Sequence, residues 1–254
     1  MTATVITYKV LTGTTLGSEL DGWLAAANTE HRPARAIIAP HAGYSYCGAC
    51  GGHAYKQVDP LTFNAELLSC GDFVEMEHKV DEEEHSIEMH LPYIARVMQR
   101  KRGSFTIIPV LVGALKPDKE AKYGRIFSKY LEDPTNLFVV SSDFCHWGRR
   151  FSYQYYDKSF SKIYESIEQL DKQGMALIEK LDPQSFHAYL KKYENTICGR
   201  HPISVLLHAV ETIRSGQKNG LNLEMKFLKY AQSNQVKSMQ DSSVSYGAAS
   251  LVFS

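Results

Sequence analysis

Residues 137–142 read Leu-Phe-Val-Val-Ser-Ser, a short apolar run that is followed by the polar residues Asp143 and His146. Residues 35–39 (Arg-Ala-Ile-Ile-Ala) form a similar run, which ends just before His41. Such runs are typical of strands that are buried on both faces of a sheet. A third apolar run lies at 105–112. Helical patterns follow at 118–131, 157–170, 182–193 and 201–213. Alternating strands and helices predict an α/β layered domain with a largely parallel central sheet.

Two more strands are predicted near the C-terminus. Residues 221–228 alternate apolar and polar side chains, and residues 244–253 form another apolar segment. We expect both to extend the sheet as antiparallel or edge strands, so the sheet is mixed. Near the N-terminus, residues 18–27 predict an amphipathic helix. No repeat or linker interrupts these patterns, which favours a single domain over residues 1–254.

The composition excludes several classes of protein. Among 254 residues, 28 Lys and Arg balance 28 Asp and Glu, so the chain lacks the basic surface of a nucleic-acid-binding protein. Its apolar runs are too short to cross a bilayer, and we expect no transmembrane segment. Five cysteines spread over the chain are typical of reduced thiols. We therefore expect a cytoplasmic protein, with the nucleus as a second location.

Polar and aromatic residues follow two of the predicted strands. Ligands of open α/β sheets bind outside the carboxyl ends of the strands, so His41, Asp143 and His146 are expected to converge there. Two imidazoles and a carboxylate suit either a divalent metal or acid/base chemistry, with His146 and Asp143 as the catalytic candidates. Alternatively, each histidine only hydrogen-bonds to the backbone. Tyr44 and Trp147 suggest an aromatic wall for a phenolic ligand, although a packed rim also explains them.

Residues 81–91 contain an acidic run and two histidines. Asp81 and Glu84 have the spacing of a helix cap and its reciprocal partner, so we predict a helix that Pro92 kinks or stops. The two histidines are five residues apart and do not share a helical face, which excludes an HExxH-type zinc site. The segment is either a solvated acidic face or one wall of a site.

Cysteines at two places raise further hypotheses. Cys47 and Cys50 form a C-x-x-C, which suits a redox dithiol or half a zinc site, but without a second such motif we expect a structural pair. Cys145 precedes His146 directly. Adjacent residues of an extended chain point in opposite directions, so these two do not form a nucleophile and base pair.

Four longer motifs occur in order along the chain. They are Ala-Arg-Ala-Ile-Ile-Ala-Pro-His-Ala-Gly-Tyr-Ser-Tyr-Cys-Gly (34–48), Glu-His-Ser-Ile-Glu-Met-His-Leu-Pro-Tyr (84–93), Val-Val-Ser-Ser-Asp-Phe-Cys-His-Trp-Gly (139–148) and Asn-Thr-Ile-Cys-Gly-Arg-His-Pro-Ile (195–203). Together they closely resemble the Memo family, mediators of receptor tyrosine kinase-driven cell motility. The resemblance implies a three-layer α/β/α fold similar to class III extradiol dioxygenases. It also implies an adaptor that binds phosphotyrosine segments of ErbB-type receptors, signals to microtubules and actin, and holds iron or copper at a vestigial site.

This chain departs from the family pattern at the metal site. The resemblance assigns two histidines and one cysteine as ligands, and His41 matches the first of these, whereas His146 matches the acid/base position. The segment that carries the second histidine is missing near residues 59–65, and Val236 stands where the ligand cysteine is expected. With two of three ligands absent, we expect no bound metal unless Asp143 or His146 substitutes. The chain is then either a shortened form or a divergent paralogue.

These observations favour a non-catalytic adaptor. A phosphotyrosine pocket needs cationic donors, and the nearest candidates along the chain are Arg149, Arg150, Arg200 and His146, with Arg favoured for phosphate. Alternatively, these side chains are only solvated surface residues. The rival hypothesis is a metal-dependent redox protein or dioxygenase-like enzyme that uses His41, Asp143 and His146. A third possibility is a chain that fails to fold.

Overall fold

The structure is a computed structural model that describes residues 2–3, 14–58, 72–74, 84–101, 105–216 and 221–254. The elements along the chain are β1 (Thr2–Ala3), α1 (Thr14–Ala26), β2 (Ala36–Ala39), α2 (Tyr44–Tyr55), α3 (His85–Glu88), α4 (Leu91–Val97), β3 (Val110–Leu111), α5 (Pro117–Glu132), β4 (Phe138–Ser141), β5 (His146–Trp147), α6 (Ile163–Glu179), α7 (Pro183–Tyr193), α8 (Arg200–Gly216), β6 (Leu223–Gln232) and β7 (Ser243–Phe253). Short 3-10 turns lie at Gln99–Lys101 and Arg149–Phe151.

The central sheet is mixed. Strand β2 pairs with β4 in parallel, and β7 pairs antiparallel with β2, β5 and β6. β1 and β3 form a separate antiparallel pair. The α/β fold with a mixed sheet is thus confirmed, and within the described strands the parallel pairing is confined to β2 and β4. The long strand β7 holds the sheet together because it contacts three others.

Helices cover both faces of the sheet. Ile38 of β2 lies in one hydrophobic core with α5, α6, α7 and α8, whereas the neighbouring Ile37 lies in a second core with α1, α2 and α4. Both side chains are fully buried. Successive side chains of a strand point to opposite faces, so these two cores define three layers. The expected α/β/α layering is confirmed.

Helix α2 was not predicted from the sequence. It carries Gly48, and a Cβ atom there would lie 2.4 Å from the Trp23 ring of α1, so only glycine permits this close contact. Cys47 and Cys50 are buried free thiols. Burial raises the pKa of both, and that of Cys47 reaches about 12. The C-x-x-C therefore lies in a helix–sheet interface, as a structural pair does.

Three predicted elements differ from the structure. The helix predicted at 157–170 is found at Ile163–Glu179, so it begins six residues later and extends nine residues further. Residues 105–112 were predicted to be one strand, but only Val110–Leu111 pairs as a named strand, and the segment lines a cavity instead. The predicted cap Asp81 lies outside the described residues, and the side chain of Glu84 caps α3 by accepting from the backbone N–H of Ser86 at 2.7 Å. Pro92 lies in the first turn of a new helix that begins at Leu91, because proline is compatible with this position.

The shortened region predicted near residues 59–65 lies outside the described residues. Among the helices that the structure describes, none has the length and apolar character needed to cross a membrane.

Candidate functional site

The parallel pairing of β2 with β4 places His41 beside Asp143. Ala39 is opposite Ser141, so the residues two positions beyond each strand leave the sheet at the same level. The Asp143 carboxylate accepts a hydrogen bond from the His41 backbone N–H at 3.0 Å, and its other oxygen lies 4.0 Å from His41 Nε2. The structure thus brings His41 and Asp143 together, as sequence analysis expected.

The hydrogen bonds of Ser141 determine the tautomer of His41. Ser141 Oγ donates to the carbonyl of Ser86 at 2.7 Å, so its only hydroxyl proton is used. It must therefore accept from His41 Nδ1, which is 2.6 Å away, and His41 Nε2 keeps its lone pair. Burial lowers the pKa of His41, although the Asp143 carboxylate opposes this shift. The ring is neutral at physiological pH.

Sequence analysis did not identify Cys198 as a member of this site. Its Sγ lies 3.5 Å from His41 Nε2 and accepts a hydrogen bond from the Asp143 backbone N–H at 3.1 Å. Although the residue is exposed to solvent, desolvation of its thiol, with a smaller contribution from Asp143, raises the pKa of this group to about 11. Cys198 is therefore protonated at neutral pH and is not an activated nucleophile. The feature that could have indicated Cys198 is its position just before α8, within the motif at residues 195–203.

His146 lies near His41 at the same end of the sheet. Its Nδ1 is 2.9 Å from the carbonyl oxygen of Phe144 and 3.0 Å from that of Thr196. Both partners are acceptors, so Nδ1 carries a proton. The preceding residue, Cys145, is fully buried, and its N–H donates to Asp171 at 3.2 Å. Cys145 and His146 thus face different surroundings.

A cavity of about 510 Å³ opens beside these residues. It lies between β4 and the 105–112 segment, with α3 and α4 on one side and α5 and α8 on the other. Several polar residues of its lining interact with His41 or with one another, and we call them the histidine end: His41, Glu84, His85, Ser86, His146 and Cys198. The rest of the lining is mainly aliphatic. The site is a deep pocket with one polar end.

The other predicted site residues lie elsewhere. Trp147 is fully buried in the core and donates to the Tyr155 carbonyl at 2.7 Å, so it does not form a wall of the cavity. Tyr44 donates to the Met89 carbonyl at 2.6 Å, and burial raises its pKa. These two correct the expected aromatic wall, because both rings are used in packing. Arg149 is exposed, and Arg200 donates to the Ile197 carbonyl at 3.2 Å.

The described residues do not fit a complete metal site. His41 Nε2 and Cys198 Sγ are two plausible donors, but within the described parts of the chain no group of three or more His, Cys, Asp or Glu side chains is arranged to hold a metal ion. Val236, at the position of the expected ligand cysteine, is fully buried in the core. Non-haem iron sites typically use three protein ligands, so no chemistry is assigned to a metal here.

Comparisons with known proteins agree with the motifs. The model of the "Memo-like protein" family matches residues 60–250. The chain is 53% identical to "Protein MEMO1" of Homo sapiens over 282 residues, which covers 96% of this chain and 94% of that relative. It is 54% identical to "Protein MEMO1" of Xenopus laevis over 278 residues, covering 94% and 93%. It is 46% identical to "Protein memo-1 homolog" of Caenorhabditis elegans over 275 residues, covering 93% and 77%.

These comparisons also show a difference in length. The alignment with the human relative spans 282 positions, whereas this chain has 254 residues in all, so at least 28 positions of that relative have no counterpart here. The place of the omission near residues 59–65 stays a prediction.

Proposed function

Because this chain belongs to the Memo family, we propose that it is an intracellular signalling adaptor that binds phosphotyrosine segments of ErbB-type receptor tyrosine kinases and relays their signal to microtubules and actin. The receptor and cytoskeletal roles come from the family resemblance. The structural observation that supports them most directly is a set of arginines that closely follow His146 and Cys198 along the chain.

These arginines lie beside two cavity residues. Arg149 and Arg150 belong to the 3-10 turn that follows β5, which contains His146. Arg200 is the first residue of α8 and comes two positions after Cys198. Within the described parts of the chain, none of the three forms an ion pair with a carboxylate. Guanidinium groups bind phosphate in a bidentate manner, so these three suit a phosphotyrosine.

The position of Arg200 at the start of a helix also favours phosphate binding. Helix α8 spans Arg200–Gly216, and the positive end of its dipole lies at Arg200. Arg150 stacks over the ring of Phe151 at 4.5 Å, which holds its guanidinium on the surface of the turn. The phosphate would bind at this rim, where water and cations reach it, rather than in the aliphatic part of the cavity.

The test is fluorescence polarisation with a labelled ErbB-type tail peptide, phosphorylated or not, and the full chain. We expect the phosphopeptide to bind at least about tenfold more tightly, since a hydrogen bond to a charged group contributes roughly 1.5–3 kcal/mol. Arg149→Ala and Arg200→Ala should remove this preference, whereas Arg200→Lys should keep part of it. Arg125→Ala, on the exposed face of α5, is the matched control. Equal affinity of the two peptides would overturn the proposal.

The enzyme hypothesis receives no comparable support from the described residues. A facial iron site made of His41, Asp143 and His146 needs three donors around one point, and such a group is absent from the described parts of the chain. The thiol of Cys198 is protonated, as shown above, so a cysteine nucleophile is not favoured either.

A further inference from the structure

The cavity lies in the plane of the central sheet. Its lining includes every residue of 105–112 and every residue of 137–141, the segment that contains β4. Successive side chains of an extended segment point to opposite faces, so a cavity against one face would be lined by every second residue. A lining of consecutive residues places the cavity beside the edges of both segments. The cavity is therefore a gap between two extended segments.

The two helical layers enclose this gap from opposite sides. Ile94 and Met98 pack in the core that contains α1, α2 and α4, whereas Phe127 and Val205 pack in the core on the other side of the sheet. All four residues line the cavity. In a three-layer fold the space between the helical layers belongs to the sheet. The gap thus has the position that a strand occupies in a continuous sheet.

The edge of β4 beside this gap has free hydrogen-bonding groups. The backbone N–H groups of Phe138 and Ser142 donate to the β2 side, at 3.1 Å and 3.0 Å. A strand bonds to one parallel neighbour through every second residue, so Val139 directs its N–H and C=O to the other edge. Within the described strands β4 pairs only with β2, and no described residue hydrogen-bonds to the backbone of Val139. An unpaired edge of this kind is a template for a further strand.

The length difference from the relatives is consistent with a missing strand. At least 28 positions of the human relative have no counterpart in this chain. A strand usually has about five or six residues, and a crossover between parallel strands needs about a dozen or more. Both fit within that number. A sheet that lacks one strand but keeps the helices on both faces has a gap of this form.

We propose that the gap binds an extended, apolar segment of a partner polypeptide, which enters the sheet as an additional strand beside β4. The backbone of this segment pairs with that of Val139. Its side chains alternate between the two helical layers, and both layers present apolar side chains, so the segment is apolar on both faces. About five residues match the length of 137–141.

This site differs from the one that the adaptor proposal uses. Arg149, Arg150 and Arg200 do not line the cavity. The inserted segment is recognised by its backbone and its apolar side chains, and it needs neither a tyrosine nor a phosphate. The two proposals can therefore fail separately.

The test is fluorescence polarisation with the full chain and a labelled peptide in which Val-Ile-Val-Ile-Val lies between pairs of lysines. The matched control peptide is N-methylated throughout this core, so it keeps the side chains but cannot donate backbone hydrogen bonds from them. We expect one-to-one binding of the first peptide, at least about tenfold tighter than the control, which corresponds to about 1.4 kcal/mol. Equal affinities would mean that only apolar surface is recognised. That result, or no binding, would overturn the proposal.

Hydrogen exchange followed by NMR locates the added strand. The amide of Val139 should exchange rapidly in the free chain and at least about tenfold more slowly with saturating peptide. The amide of Phe138 is the internal control, because it is bonded to the β2 side in both states and should be slow in both. Slow exchange at Val139 without peptide would show that this edge is already paired. That result, or unchanged exchange with bound peptide, would refute the assigned site.

A proline variant tests the edge itself. Val139→Pro removes the N–H from the free edge without removing a hydrogen bond to β2, and proline is accepted at such edges. It should abolish peptide binding, whereas Val139→Ala, which keeps the N–H, should retain it. Should Val139→Pro unfold, as judged by circular dichroism, the N-methylated peptide and the exchange of the Val139 amide decide the question. Unchanged peptide binding in folded Val139→Pro would refute the site.

Two further measurements separate this proposal from its alternatives. Sedimentation of the parent tests a second copy of the chain as the occupant. A dimer that Val139→Pro dissociates would assign the edge to self-association and would overturn the proposal, whereas a monomer agrees with it. Phosphopeptide affinity should be the same in Val139→Pro as in the parent, which distinguishes failure here from failure of the adaptor proposal.

Discussion

Replacement of Gly124 by alanine tests how closely α5 packs against α8, the two helices on one side of the cavity. A Cβ atom at Gly124 would lie 2.4 Å from the Cβ of His208, 2.8 Å from its carbonyl carbon and 2.9 Å from the backbone nitrogen of Ala209. Two of these three are backbone atoms, so no rotation of a side chain relieves the contact. Helix α8 would have to move away from α5.

The expected magnitude follows from two opposing terms. Overpacking a well-packed interior typically costs about 1–3 kcal/mol. Alanine has a higher helix propensity than glycine, which raises the free energy of unfolding by about 1 kcal/mol. Because backbone atoms are involved, we expect the larger steric term, and the free energy of unfolding should fall by about 1–2 kcal/mol. For a domain of this size each kcal/mol lowers Tm by roughly 2–4 °C, so Tm should fall by about 2–8 °C.

Guanidinium chloride denaturation of the two proteins, with a shared m value, measures this change. Gly22→Ala is the matched control, because Gly22 lies on the exposed side of α1 and a Cβ there meets nothing within 4 Å. That variant should gain about 0.5–1 kcal/mol from helix propensity alone. If Gly124→Ala is as stable as the parent while Gly22→Ala behaves as expected, the close packing of α5 on α8 is refuted.

Two further predictions concern titratable groups. The fully buried Asp171 carboxylate accepts from the Asn195 amide at 3.0 Å and the Tyr230 hydroxyl at 3.0 Å, and burial raises its pKa from 3.8 to about 6. The folded state thus holds this proton more tightly than the unfolded state. The free energy of unfolding of the parent, relative to that of Asp171→Asn, should therefore fall by up to about 3 kcal/mol as pH rises from about 4 to about 6. Urea denaturation measures this difference, and a constant value over this pH range would contradict the prediction. For Cys198, whose pKa is raised to about 11, alkylation by iodoacetamide should be slow at pH 7 and accelerate towards pH 11. Mass spectrometry with Cys198→Ser as the control measures the rate, and rapid labelling at pH 7 would show an activated thiol.

Patterns within short segments determined much of this fold. The strands at Ala36–Ala39, Phe138–Ser141 and Ser243–Phe253 were predictable because each contains a short apolar run of the length typical of a buried strand. The approach of His41 to Asp143 also followed, since both come directly after strands whose ends share one edge. Local periodicity and parallel topology suffice for such conclusions.

The remaining features required contacts between distant segments. Cys198 lies beside His41 although 157 positions separate them. The raised pKa of its thiol comes from desolvation by neighbouring segments, which sequence spacing does not report. Trp147 lies in the core rather than at the cavity because the Tyr155 carbonyl is available to its indole N–H. The helix that contains Gly48 depends on the approach of Trp23, since a glycine-rich segment has low intrinsic helix propensity. Residues 105–112 line a cavity for the same reason: whether an apolar run pairs as a strand depends on the partner that tertiary packing places beside it.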